Sequence, residues 1–293
     1  MRVNLLKFTY VLKMVIIMIL EGKPLKKKIL NELKEEIFKL DIKPSLVVIQ
    51  VGNDEASNVY VNQKKKMAET VGINYIHRHL DSNISEEELI NIINLYNEDE
   101  MIDGILVQMP LPKHINENTI QNTVVYTKDV DGLTDVNAGR LLHDKDALVS
   151  CTPYGIIELL KYYNIELEGK NVVIVGRSNL VGKPLYSLFL KENATVTMCH
   201  SKTEDLSTYT KQADILVAAV GKKHLITKDM VKDGSTIFDV GINKVEGKLY
   251  GDVDFDSIKD ICNITPVPGG VGQMTVAELG RNVYKAYCLR RKK

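Results

Sequence analysis

Six short strand-like runs limit what this chain can become. "SLVVIQVG" starts at Ser45, "GILVQMP" occupies 104–110, and "NVVIVG", "ATVTMC", "DILVAAVG" and "STIFDVG" follow between residues 171 and 241. Helix-sized amphipathic segments separate most of them. In "KPLKKKILNELKEEIFKL", Pro24 suits a first helical turn, and Leu25, Ile29, Leu33, Ile37 and Leu40 recur at helical spacing. Strands alternating with helices predict an α/β fold with a largely parallel sheet. Local signals bound several helices: Ser57 as a cap and Gly72 as a stop, Ser85 with Glu88 as a capping box, and Thr152 with Pro153 as a start. The last segment places Thr275 and Glu278 at capping-box spacing, with Val276, Leu279, Val283 and Tyr287 on one face.

A chain of 293 residues is long enough for two domains, each with its own core. The change of unit puts the boundary near residue 146. The expected division is an N-terminal α/β catalytic domain over 1–145, a Rossmann-like domain over 146–273, and a terminal helix over 274–293 that packs back onto the first domain. The cleft between the domains is the expected site.

Charge excludes some partners. The 38 basic and 38 acidic side chains sum to zero, which gives no broad electrostatic footprint for nucleic acid or for an anionic membrane. A small-molecule partner is expected instead. Cys151, Cys199, Cys262 and Cys288 form no C-x-x-C pair and have no histidines at zinc spacing, as expected of reduced thiols in a cytoplasmic protein. The N-terminal "LLKFTYVLKMVIIMIL" is interrupted by Lys7 and Lys13. Its longest uncharged stretch is shorter than the roughly 20 residues a spanning helix needs, and no small-residue cleavage site follows. "VIIMIL" is expected to be a first core strand, with Met14 or Met18 a candidate true start.

After "NVVIVG" the chain reads "GRSNLVGKPLYSLFL": Gly176 ends a strand, Gly182 lies in the turn, and Pro184 opens a helix. A helix N-terminus offers unpaired amides and a positive dipole end, and glycine lets a phosphate approach the backbone. The spacing is not G-x-G-x-x-G, so an ordinary tight strand-to-helix turn stays open beside nucleotide binding. The second strand ends in "MCHSKT", where NAD-selective folds usually place an acidic residue for the ribose hydroxyls. Ser201 and Lys202, with Arg177 across the first loop, are donors suited to a 2′-phosphate, which favours NADP. Polar loop residues at a strand end are the plain alternative.

"GRSNLVGKP", together with "PVPGGVGQMT", "DGILVQMPLP" and "KDVDGLTDVNAGRL", closely resembles the bifunctional methylenetetrahydrofolate dehydrogenase and methenyltetrahydrofolate cyclohydrolase family. The four motifs come in the family's order, and the resemblance runs from about Glu21 to the C-terminus. It departs at Gln273, where the family usually has proline, and in the segment before about residue 18. The resemblance implies NADP-dependent oxidation of 5,10-methylenetetrahydrofolate to the methenyl form, then hydrolysis to 10-formyltetrahydrofolate. It also implies one shared cleft and a homodimer.

Site residues follow motif by motif. Tyr60 and Lys64 are four apart, hence on one helical face; the resemblance makes Lys64 the proton-transfer group and Tyr60 a ring packed on the folate. Gln108, at the end of "GILVQ", is implied to hold Lys64. An amide can accept from the ammonium without the full negative charge that would raise its pKa. A solvent-facing strand-end residue is its alternative. Asp131 matches the aspartate that grips the pterin ring. A turn aspartate and a calcium ligand are the alternatives there, but Gly132 stands at the wrong position for an EF-hand. Pro268, Gly269 and Gly270 line the folate side of the cleft by resemblance. Gly176, Arg177, Ser178, Ser201 and Ile242 line the cofactor side, and no metal is expected.

Two rival readings fit parts of the sequence. A Tyr-x-x-x-Lys pair also marks short-chain dehydrogenases, but those place their glycine-rich turn before the pair, whereas here it follows Lys64 by more than 100 residues. A binder that has lost the chemistry is the other. Tyr60, Lys64, Gln108 and Asp131 occurring together count against it.

Overall fold

In the computed structural model, which describes residues 17–291, the apolar runs form two parallel sheets. The first has the order β2-β1-β3, from β1 (Ser45–Val51), β2 (Asn74–Leu80) and β3 (Gly104–Val107). Every residue of β1 and β3 is buried, because helices cover both faces. Leu46 and Val48 of β1 meet α1 (Gly22–Phe38) and α2 (Glu55–Val71) through Leu25, Ile29, Leu33, Val61 and Ala68. Val47 and Ile49 point the other way, toward Leu89 and Ile93 of α3 (Glu86–Glu98) and Ile120 of α4 (Glu117–Thr123). A strand buried on both faces has no polar side to alternate with, which explains its continuous apolar sequence.

Helices α5 (Asp135–Leu142) and α6 (Cys151–Tyr162) lead into the second sheet. Its strands are β4 (Asn171–Val175), β5 (Thr195–Cys199), β6 (Ile215–Ala218), β7 (Thr236–Asp239) and β10 (Asn263–Ile264), in the order β10-β7-β6-β4-β5 and all parallel. Between them lie α7 (Gly182–Lys191), α8 (Leu206–Thr210), a hairpin of β8 (Asn243–Val245) and β9 (Lys248–Tyr250), and α9 (Phe255–Ile258). The chain starts at β4, runs out to β5, then returns to the far side at β6. Strand order therefore reverses between β4 and β6, where doubly wound sheets open a ligand crevice.

The final helix, α10 (Gly272–Arg291), packs on α1, α2 and α6. Its buried Met274, Ala277 and Val283 share one cluster with Leu33 of α1, Ile156 of α6 and Ile174 of β4, so one core runs through both halves.

Local starts differ from expectation in three places. Helix α2 is capped by Asp54, whose carboxylate accepts from Ser57 N, rather than by Ser57. The Ser57 hydroxyl instead donates to Met109 O at 3.3 Å, tying α2 to the end of β3. Helix α10 starts at Gly272, so Thr275 lies inside it and meets Thr152 at 2.8 Å, while Glu278 pairs with Arg281 rather than capping anything. The expected strand "VIIMIL" falls partly outside the described residues. Its remainder makes one bridge, Ile19 to Ile264, at the edge of the second sheet. The capping box of Ser85 and Glu88 and the left-handed stop at Gly72 are present as the sequence predicts.

Candidate active site

The Lys64 side is built at the C-terminal ends of β1 and β3. Gln108 directly follows β3 and is 8% exposed. Its Nε2 donates to Met109 O at 2.6 Å, which leaves Oε1 to accept from Lys64 Nζ at 2.8 Å. An ammonium has only donors, so it demands the oxygen face of the amide. Burial lowers the Lys64 pKa from its ordinary value, against the upward pull of Asp131 and then Cys151. Burial likewise raises the Asp131 pKa, with Lys64 pulling it down. In both groups desolvation outweighs mutual attraction, so the Lys64 pKa moves down and the Asp131 pKa moves up. Tyr60, one turn before Lys64, is 44% exposed, leaving its ring face open to a ligand.

Asp131 is held by neighbours rather than by its own bonds. Residues 128–131 run beside β3, with Ile105 paired to Asp129. The Asp129 carboxylate accepts from Leu133 N, Thr134 N and Asn137 Nδ2 and so fixes the turn. Gly132 has φ +68°, and a Cβ there would lie 2.4 Å from Val149 C, so only glycine fits. From α10, Asn282 donates to both Val130 O and Val149 O at 2.8 Å, clamping the two segments that flank the site. Between them Cys151 is buried, and burial followed by the Asp131 and Glu278 charges raises its thiol pKa well above normal. It stays protonated and is no nucleophile. Sequence patterns missed Asn282 and Cys151; the one available signal was a polar residue, Asn282, beside Val283 in an apolar stripe.

The loop before α10 lies against the start of α1. Gly269 has φ +118°, and its carbonyl accepts from Gly22 N at 2.9 Å. Gly270 is buried, with Thr265 Cβ 2.7 Å from where its own Cβ would stand, whereas Pro268 is exposed. Gln273, at the usual proline position, accepts from Lys26 Nζ at 3.2 Å, so a side-chain bond joins the start of α10 to α1.

The second region is the β4/β6 crevice. Gly176 follows β4 with φ +129°, and a Cβ on it would lie 2.3 Å from Ala219 O. A Cβ on Gly182, the first residue of α7, would lie 2.2 Å from Gly176 O. Both ends of the turn are thus too tight for any side chain, and the turn delivers the N-terminus of a ten-residue helix to the crevice. Ser178 Oγ accepts from Val181 N at 3.1 Å and shapes the turn. Val175 pairs with Cys199, so Arg177 and Ser201 leave adjacent strand ends, both exposed, with Lys202 exposed beside them. Ile242 is 52% exposed just past β7. A glycine cradle, a helix N-terminus and cationic donors fit a dinucleotide with an additional phosphate.

Fold and crevices together define a two-domain α/β protein with a doubly wound nucleotide-type domain beside a half-buried lysine site. The chain belongs to the tetrahydrofolate dehydrogenase/cyclohydrolase family. Residues 20–131 match the family's catalytic domain, and residues 150–291 match its NAD(P)-binding domain. A Bacillus subtilis relative named bifunctional protein FolD is 51% identical over 254 residues, covering 86% of this chain and 90% of that one. The crystal structure of the bifunctional FolD methylenetetrahydrofolate dehydrogenase/cyclohydrolase of Campylobacter jejuni superposes with a TM-score of 0.92 at 46% identity, covering 94% of this chain and all of that one. The Trypanosoma brucei enzyme, solved with NADP cofactor and an inhibitor, gives 0.88 at 35% identity, covering 92% and 97%.

Proposed function

We propose that this chain oxidises 5,10-methylenetetrahydrofolate to 5,10-methenyltetrahydrofolate with NADP and hydrolyses the product to 10-formyltetrahydrofolate. The observation that carries the proposal is the 2.8 Å bond from Lys64 to Gln108 on a lysine whose pKa burial has lowered, in a family with a separate NAD(P)-binding domain. NADP, when bound at the Gly176 turn, supplies the hydride acceptor. The oxidation asks little of side chains, because the nitrogen lone pairs of the folate stabilise the cation left behind; positioning is the protein's task. In hydrolysis, water attacks the one-carbon bridge and must lose a proton, and a ring nitrogen gains one as the bridge opens. Lys64 takes and returns that proton, in keeping with a lysine pKa drawn toward working pH. Gln108 orients the amine. Tyr60 packs on the folate, and Asp131 accepts from the pterin amino group and adjacent nitrogen.

Pro268, Gly269 and Gly270 wall the folate side. Gly176, Arg177, Ser178, Ser201 and Ile242 hold the cofactor, with Arg177 and Ser201 selecting its 2′-phosphate. The domains in this proposal are 1–145 with 274–293 for folate and 146–273 for NADP. The enzyme acts in the cytoplasm as a homodimer, and light scattering at twice the chain mass tests the latter. Among the described residues no helix is long and apolar enough to cross a membrane. Mixing the protein with methylenetetrahydrofolate and NADP tests the whole proposal: methenyl absorbance should appear and then decay faster than in buffer. Folded protein that binds both ligands and forms no methenyl product contradicts it.

A further inference from the structure

At the far wall of the β4/β6 crevice stands a carboxylate that no step so far has used. Asp252 is fully buried. Its Oδ2 accepts from Val220 N at 2.7 Å and Gly221 N at 3.0 Å, and its Oδ1 accepts from Lys222 N at 2.7 Å. Three successive amides of the loop after β6 thus converge on one side chain. Oδ1 also accepts from Asn243 Nδ2 at 3.0 Å, at the start of the β8–β9 hairpin. Asp252 is itself held by a second buried carboxylate: Asp239, at the end of β7, accepts from Asp252 N at 2.8 Å and Val253 N at 3.0 Å.

Two glycines make the arrangement possible. A Cβ on Gly241 would lie 2.0 Å from Asp252 Oδ1, and one on Gly251 would lie 1.7 Å from Asp239 Oδ2. Gly241 therefore lies directly on the Asp252 carboxylate and Asn243 bonds to it, so Ile242 is anchored on both sides. The other held loop starts with Val220, and the two are exposed by 52% and 41%. Immediately before Val220 stands Ala219, whose carbonyl is the atom a Cβ on Gly176 would strike. Asp252 thus joins the loop that touches the Gly176 turn to the segment that follows β7.

We infer that Asp252 is a positioning residue for the nicotinamide cofactor: by gathering the 220–222 amides and Asn243 it sets Val220 and Ile242 as the wall opposite the glycine turn. The inference deepens the proposed function and rests on it for the identity of the nucleotide. A carboxylate suits this role because it offers acceptors only, to a site that supplies only donors. An amide in its place would turn an NH2 toward backbone N–H groups and orphan at least one of them.

The test is Asp252→Asn in the full chain, read by NADPH fluorescence titration and by methenyl hydrolysis without nucleotide. NADPH binding is expected to weaken at least tenfold, with hydrolysis unchanged within twofold. In addition, Ile242→Ala should cost less affinity in the Asp252→Asn background than in the wild type, since both changes act on one wall. Should Asp252→Asn not fold, Asn243→Ala removes one donor of the same junction and carries the same expectation in smaller measure. Unchanged NADPH affinity in the folded variant, or equal loss of binding and hydrolysis, overturns the inference. NADPH binding that responds as expected in a protein without folate turnover would uphold Asp252 and remove the proposed reaction instead.

Discussion

The Lys64 site and the Gly176 crevice are both made at the C-terminal ends of parallel strands, yet from opposite materials. At Lys64 the working parts are side chains: an ammonium, an amide and a carboxylate, drawn into the interior so that burial shifts their protonation. At Gly176 the working part is backbone, a turn so tight that two positions exclude a Cβ, with charged groups left outside in solvent. In the proposed function the first arrangement moves protons and the second holds a ligand. One chain can therefore carry two activities that fail separately, provided each mutation stays within its own region.

The largest separation is expected from Lys64→Met. Hydrolysis of the methenyl substrate should fall by roughly 10²–10⁴, the usual range for one general acid–base group, while NADP-dependent oxidation persists. Hydrolysis at wild-type rate in that variant would remove Lys64 from the chemistry. Gly176→Ala is the mirror experiment. The clash with Ala219 O and the positive φ should weaken NADPH binding at least tenfold, about 1.4 kcal/mol, with hydrolysis intact; parallel loss of both would merge the two regions into one.

Arg177→Ala is expected to act more narrowly. Losing one charged donor to a 2′-phosphate should lower the preference for NADP over NAD by roughly 10- to 150-fold, the equivalent of the ~1.5–3 kcal/mol of a hydrogen bond to a charged group. An unchanged ratio of specificity constants would assign selectivity elsewhere. The smallest effect is on stability. A lysine whose pKa is lowered on folding binds fewer protons folded than unfolded, so its contribution to stability grows as pH rises from its folded value toward its ordinary 10.5. Chemical denaturation of wild type and Lys64→Met across that window should show their difference moving in favour of wild type. A flat difference would mean that Lys64 is not desolvated.

How far these two regions were legible in sequence follows from the same contrast. The crevice was visible in outline, because strand, glycine, glycine and helix succeed one another within a dozen residues, and local order fixes such a turn. Tyr60 and Lys64 were placed on one face by helical spacing alone. The Lys64–Gln108 bond spans 44 positions, and only the four family-like motifs made it expected. What escaped entirely depends on distant chain segments. Asn282 reaches Val130 and Val149 from the last helix, and Asp252 collects amides some thirty positions before it. Caps were misread at Ser57 and Thr275 for a related reason: tertiary partners, Met109 and Thr152, use hydroxyls that local rules assign to helix ends.

Burial, more than any neighbouring charge, moves the Lys64 pKa from its ordinary value. The most direct test of this is the pKa of that lysine, followed by the ¹³Cε chemical shift of labelled protein against pH, with Lys64→Met giving the assignment. Titration is expected below the ordinary value of 10.5, with a rise when Gln108→Glu puts a negative charge at the amide position. Titration of Lys64 at or above the ordinary value would contradict it.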